Sequence, residues 1–131
     1  MLSDEVQSRL WRAAVEAQAK AYAPYSRIQV GAALLSVRGN LYAGGNVENA
    51  SLGLTVCAER VAVFQAVAAE GRDLRIRALA VVSGARKPFP PCGACRQVIL
   101  EFGREALILF EGQDGPVKMR LEELLPHGFQ L

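Results

Sequence analysis

The apolar positions of the chain change period several times, and each change marks an element. Val6, Leu10, Ala13, Ala14, Ala17 and Ala21 recur at helical spacing, and Pro24 closes the run. Ser3 can cap that helix, with Asp4 and Glu5 in its electropositive first turn. Ile28, Val30, Ala32 and Leu34 alternate as in a strand. Arg38-Gly39-Asn40 reads as a turn, and 41–43 as the hairpin partner. A second helix is predicted over 56–69, closed by Gly71. Residues 76–82 are apolar almost throughout, as in a central strand covered on both faces. Pro88, Pro90 and Pro91 hold a loop, after which Cys92 opens a third helix that stops at Gly103. Strands are predicted over 106–110 and 117–119, around a Gln113-Asp114-Gly115 turn, followed by a short helix over 121–125. The order α-β-β-α-β-α-β-β predicts an α/β fold with helices on both faces of one mixed sheet. That is a three-layer α-β-α sandwich of about five strands.

Composition narrows the function classes. The 131 residues fit a single domain, 1–131, large enough to fold without a disulfide or a metal. Apolar residues make up 51% and charged ones 21%, a globular balance. A net charge of +2 argues against a chain built to coat nucleic acid or an anionic membrane. The longest charge-free runs, Ile28–Val37 and Asn49–Ala58, are far shorter than the roughly 20 residues of a membrane span. The start, Met1-Leu2-Ser3-Asp4-Glu5, is acidic where a secretory signal is basic and then apolar, so a cytoplasmic location is expected.

The candidate chemistry lies in three cysteines. Cys92 and Cys95 form a C-x-x-C pair, which can clamp zinc or form a redox disulfide. Cys57 shifts the balance, because three protein ligands leave one tetrahedral position open, as in a catalytic zinc site. The only histidine, His127, could close that shell as a fourth ligand. Both cysteine segments fall at predicted helix starts, where backbone N–H groups and the dipole favour thiolates. Cys57 could also be a small buried apolar residue. Asn46 and Glu48 stand two apart in an extended segment and project to one side, where they could hold a hydroxyl from two directions. Gly44-Gly45-Asn46 is equally compatible with simple turn chemistry.

Cys57-Ala58-Glu59-Arg60 and Pro91-Cys92-Gly93-Ala94-Cys95-Arg96-Gln97, with Asn46-Val47-Glu48-Asn49-Ala50, resemble the cytidine deaminases. Pro24-Tyr25-Ser26, Val30-Gly31-Ala32-Ala33 and Glu123-Leu124-Leu125-Pro126 extend the likeness over nearly the whole chain. The resemblance is to the short, homotetrameric, all-cysteine form. It implies one zinc per chain on Cys57, Cys92 and Cys95, and hydrolysis of cytidine and deoxycytidine to uridine and deoxyuridine. Zinc lowers the pKa of bound water, giving a nucleophile for C4, and Glu59 would carry protons to N3 and to the departing amine. Residues i and i+2 of a helix point roughly 200° apart, so Cys57 and Glu59 share a site only if Cys57 lies at the helix end. Glu59 could instead merely favour the helix dipole.

Three thiolates leave the zinc site with net charge −1. Arg60, at i+3 from Cys57, can donate to thiolate sulfur and restore Lewis acidity, although it could also be a solvated helix arginine. The resemblance further implies that Asn46 and Glu48 hold the ribose and that Gln97 lies near the ligands. It implies that Ile28 lines the nucleoside pocket and that Phe129 reaches a neighbouring subunit's site. Phe129 could instead pack on its own core. Ile28 and Leu52 stand where the family often has aromatic residues, so stacking surface is lost while apolar packing remains. The implied partners are small nucleosides, with no nucleic acid and no membrane. A polynucleotide deaminase would need basic and aromatic contacts, whereas Arg72, Arg75, Arg77, Arg86 and Lys87 are interspersed with Glu70 and Asp73. The rival readings are a deaminase of another cytosine nucleoside such as a nucleoside antibiotic, a non-catalytic zinc module, and a thiol–disulfide oxidoreductase. Glu59 argues against the second; Cys57 and Glu59 are unexplained by the third.

Overall fold

The structure is a computed structural model that describes residues 2–131. Five strands form one sheet: β1 (Val30–Ser36), β2 (Leu41–Gly45), β3 (Ile76–Ser83), β4 (Leu107–Gly112) and β5 (Gly115–Arg120). Their spatial order is β2-β1-β3-β4-β5, with β3 and β4 parallel and every other pair antiparallel. The longer helices are α1 (Asp4–Gln18), α2 (Ala58–Glu70) and α3 (Gly93–Phe102), and a single turn, α4 (Leu121–Leu124), follows β5. The mixed, helix-covered sheet expected from the element order is therefore present. No helix among the described residues is long and apolar enough to cross a membrane.

The two faces of the sheet carry separate cores. Leu34, Leu79, Val81 and Ile108 point to the side of α2 and α3, where Val63, Ile99 and Leu100 meet them. Ala33, Leu35, Ala78 and Ala80 point the other way, onto Leu10 and Ala14 of α1. All seven residues of β1 are consequently buried, so its apolar alternation marks two covered faces rather than one wet one. Gly31 and Gly44 make this layering possible from opposite sides. A Cβ at Gly31 would sit 2.0 Å from the Ala14 carbonyl oxygen of α1, and one at Gly44 would lie 2.6 Å from Val61 of α2. Only glycine admits helix backbone that close.

Several boundaries differ from the periodicity. Helix α1 begins as expected, with the Ser3 hydroxyl accepting from the Val6 amide, but it ends at Gln18, well before Pro24. The chain beyond it turns because Tyr22 pairs with Val47, its amide donating to the Asn46 carbonyl. Ile28 lies outside β1. Val56 is not helical either; it exchanges both backbone hydrogen bonds with Val47, so α2 starts two residues later than periodicity suggests. At both helix boundaries a long-range backbone pairing overrides helical spacing.

Candidate active site

Two helix starts meet at one end of the sheet. Cys57 is the N-cap of α2 and Cys92 the N-cap of α3, both with extended backbone, and Cys95 follows in the first turn of α3. The three sulfurs lie within 4.8 Å of one another, with Cys57 Sγ 3.9 Å from Cys92 Sγ and Cys92 Sγ 3.4 Å from Cys95 Sγ. Three sulfurs at about 2.3 Å from one tetrahedral zinc would stand about 3.8 Å apart, so the donor set fits that ion in number, type and spacing. His127 is not part of this cluster, and the closed four-ligand reading has no support among the described residues.

Placing Cys57 at the N-cap resolves the conflict between i and i+2. Its φ of −68° and ψ of 151° take it off the helical spiral, while Glu59 occupies the first turn. Glu59 is 3% exposed, and it lines a cavity of about 220 Å³ together with Val30, Asn46, Thr55, Cys57, Phe89 and Cys92. Burial, reinforced by the charge on Cys57, pushes the Glu59 carboxyl up to about 7, against hydrogen bonds that favour its ionised form. Cys57 moves the other way, down to about 5. A hydrogen bond from Cys95 is the main cause, and the Arg60 guanidinium adds a further hydrogen bond and its charge. Cys95 is raised, because the Cys57 thiolate beside it and burial both oppose a second negative charge. A bound dication would favour the deprotonated form of all its thiol ligands.

Arg60 Nη2 donates to Cys57 Sγ at 3.2 Å, the contact expected from the i+3 spacing. It is not a freely solvated helix arginine, since its Nε is buried without a partner.

Asn46 and Glu48 do project to one side, toward the segment 25–30, but both side chains already hold backbone there. Asn46 Oδ1 accepts from the Val30 amide at 2.8 Å, and Nδ2 donates to the Ile28 carbonyl at 3.0 Å. Glu48 Oε1 accepts from the amides of Tyr25 and Ser26, and Oε2 accepts from the Ser26 hydroxyl. Those bonds, the Ser26 hydroxyl foremost, hold the Glu48 carboxyl below the usual range. Asn46 keeps one N–H free, and each group keeps a spare lone pair. Ile28 stands partly exposed beside this loop. Gln97, two residues beyond Cys95, directs its Nε2 to the Phe129 carbonyl at 3.2 Å, because the chain end folds back across α3. The Phe129 side chain itself is 68% exposed, so it does not pack on its own core. Sequence reasoning missed Thr55 and Phe89 as cavity walls and Ser26 as the partner of Glu48; proximity to Cys57, Pro90 and Ile28 was the available signal.

A profile for the family described as "Cytidine and deoxycytidylate deaminase zinc-binding region" matches residues 4–111. The chain is 47% identical over 122 residues to a cytidine deaminase of Halalkalibacterium halodurans, covering 92% of this chain and 91% of that one. It is 49% identical over 119 residues to a cytidine deaminase of Mycobacterium tuberculosis, covering 90% and 85%. Its fold matches a crystal structure of cytidine deaminase from Burkholderia pseudomallei with a TM-score of 0.87 at 43% identity, covering 98% of this chain and 100% of the other. The architecture and the thiol cluster are those of a zinc-site enzyme. Over most of its length the chain belongs to the cytidine and deoxycytidylate deaminase family.

Proposed function

We propose that the chain, as one domain over 1–131, hydrolyses cytidine and 2′-deoxycytidine to uridine and 2′-deoxyuridine with release of ammonia. The observation that carries this reading is the convergence of three thiols on a buried, high-pKa carboxyl at one small cavity. Cys57, Cys92 and Cys95 are the residues that would hold zinc, which when bound makes water a nucleophile at neutral pH.

The chain's own residues supply the rest. Glu59 is walled off from bulk solvent, so its proton goes to ligand atoms rather than to water. A carboxyl whose pKa is near 7 can take one proton from the attacking water and give it to N3 of the cytosine ring, then take the second from the hydroxyl added at C4 and pass it to the departing amine. Arg60 withdraws charge from the Cys57 sulfur, which keeps a three-thiolate site acidic enough to activate water. Asn46 and Glu48 act on the sugar through their spare donor and lone pairs, from positions fixed by segment 25–30. Ile28 packs against the nucleoside as an aliphatic surface.

The cavity is smaller than the roughly 300 Å³ at which ligand pockets usually begin, so its walls hold a base rather than a whole nucleoside. Phe129, exposed at the chain end, is suited to complete the pocket of a second copy in a homotetramer with shared sites. Such an enzyme serves pyrimidine salvage in the cytoplasm. The test is incubation of zinc-loaded protein with cytidine, following ultraviolet absorbance and ammonia. Stoichiometric loss of cytidine with ammonia release is expected; a zinc-loaded protein that leaves both cytidine and deoxycytidine untouched overturns the reading.

A further inference from the structure

Arg96 lies one turn into α3, and its side chain points back toward the helix start. Its Nε donates to the Pro91 carbonyl at 2.7 Å, and its Nη1 donates to the Leu124 carbonyl at 2.8 Å. Its backbone N–H bonds the Cys92 carbonyl at 2.9 Å. The peptide units on both sides of Cys92 are thus held by one residue.

We propose that Arg96 is a positioning residue for the metal site, locking the Pro91–Cys92 peptide that aims the Cys92 sulfur and tying it to the turn α4. The proposal rests on the reading of the three cysteines as zinc ligands. Three observations lead to it. Pro90 and Pro91 have no N–H, so the backbone of this pair can make hydrogen bonds only through its carbonyls. Cys92 is the exposed member of the three cysteines, with the least packing to fix it. Pro91 is fully buried, so water cannot readily replace a lost guanidinium at its carbonyl. The two bonds leave one planar group in directions set by the guanidinium, a geometry that a lysine ammonium cannot reproduce. Arg96 therefore acts on the metal site through backbone and touches neither sulfur nor substrate, which separates it from Arg60.

The test compares zinc-loaded wild-type protein with Arg96→Gln, Arg96→Lys and Arg104→Gln. Arg104 serves as the control because it holds the same chain end, through the Gly128 carbonyl and Gln130, without touching the ligand loop. Zinc release to an excess of chelator is timed, and kcat and KM for cytidine are measured beside it. Arg96→Gln is expected to release zinc about 10–100-fold faster and to lose kcat with KM little changed, as outer-shell changes at metal sites do. Arg96→Lys should fall between it and wild type, and Arg104→Gln should release zinc at the wild-type rate. Wild-type release from Arg96→Gln, with only the melting temperature lowered, overturns the proposal. So does equal acceleration in Arg96→Gln and Arg104→Gln, which would mark a general loosening of the chain end. If Arg96→Gln does not fold, Arg96→Lys decides, and wild-type release from it is the overturning result. Wild-type protein that takes up no zinc would instead overturn the reading of the cysteines as ligands.

Discussion

The two helix starts that meet at the site are built alike and behave differently. Each opens with a cysteine N-cap on extended backbone, and each has an arginine one turn further on. At α2 the arginine reaches the sulfur itself, Arg60 to Cys57, and the neighbouring carboxyl of Glu59 is buried. At α3 the arginine turns away from sulfur to the backbone, and Cys92 Sγ instead accepts from the Cys95 amide at 3.4 Å. The α2 start thus gathers the charged chemistry, a thiol bonded to a guanidinium and a buried carboxyl beside them. The α3 start is a mechanical clamp of two thiols. A helix N-terminus favours thiolates in both places. What sets their tasks is the tertiary surroundings: the Val47–Val56 pairing before α2, and a proline pair before α3.

The division of labour can be broken at either start. The largest effect is expected from Cys95→Ala, which removes the buried member of the clamp. Metal analysis should find most zinc lost and assays no measurable deamination, while circular dichroism shows a folded chain, because a domain of this size does not need the ion to fold. Zinc retained near one per chain would show that α3 is not a clamp. Glu59→Gln strikes the other start. It keeps the shape and loses the proton, a step typically worth about 10²–10⁴-fold and used here twice, so turnover should vanish while zinc stays. Near-normal ammonia release from the zinc-loaded variant would remove Glu59 from the chemistry.

Arg60→Gln sharpens the contrast between the two arginines. Its loss should lower kcat by about 10–100-fold with KM nearly constant, and should move the acid limb of the pH–rate profile to higher pH. The sign follows from charge, since without the guanidinium the sulfur returns more negative charge to the metal, and water there ionises less readily. A raised KM with that limb unmoved would make Arg60 a substrate contact. The smallest effect, several-fold in KM, is expected on removing 127–131, which leaves both helix starts intact but deletes Phe129. Light scattering should show weaker assembly in the same protein; unchanged size and kinetics would confine Phe129 to its own subunit.

Much of this was readable along the chain because the signals are local. Gly71 and Gly103 stop their helices, Pro91 precedes an N-cap, and 76–82 is apolar at every position but Arg77, as in a doubly covered strand. The spacing that puts Arg60 over Cys57 is equally local, and that contact forms as expected. What was not readable depends on partners far away in sequence. The end of α1 is fixed by Val47, and the start of α2 by the same residue. Gln97 holds the Phe129 carbonyl, a contact that spacing does not show, since nothing local says where the chain end returns. The pairing of Asn46 with Glu48 was visible as spacing, but their hold on the backbone of 25–30 was not.

That hold has a consequence for motion. Arg27 adopts a left-handed φ of 60°, a conformation that costs a non-glycine residue on the order of 1 kcal/mol. On either side of it, Glu48 grips the amides of Tyr25 and Ser26 while Asn46 grips Ile28 and Val30. The segment cannot swing outward by relaxing one dihedral angle; both grips have to release together, as one cooperative opening. Ile28 is therefore fixed from both sides, its carbonyl held by Asn46 and its amide by the Ser26 hydroxyl that Glu48 itself holds.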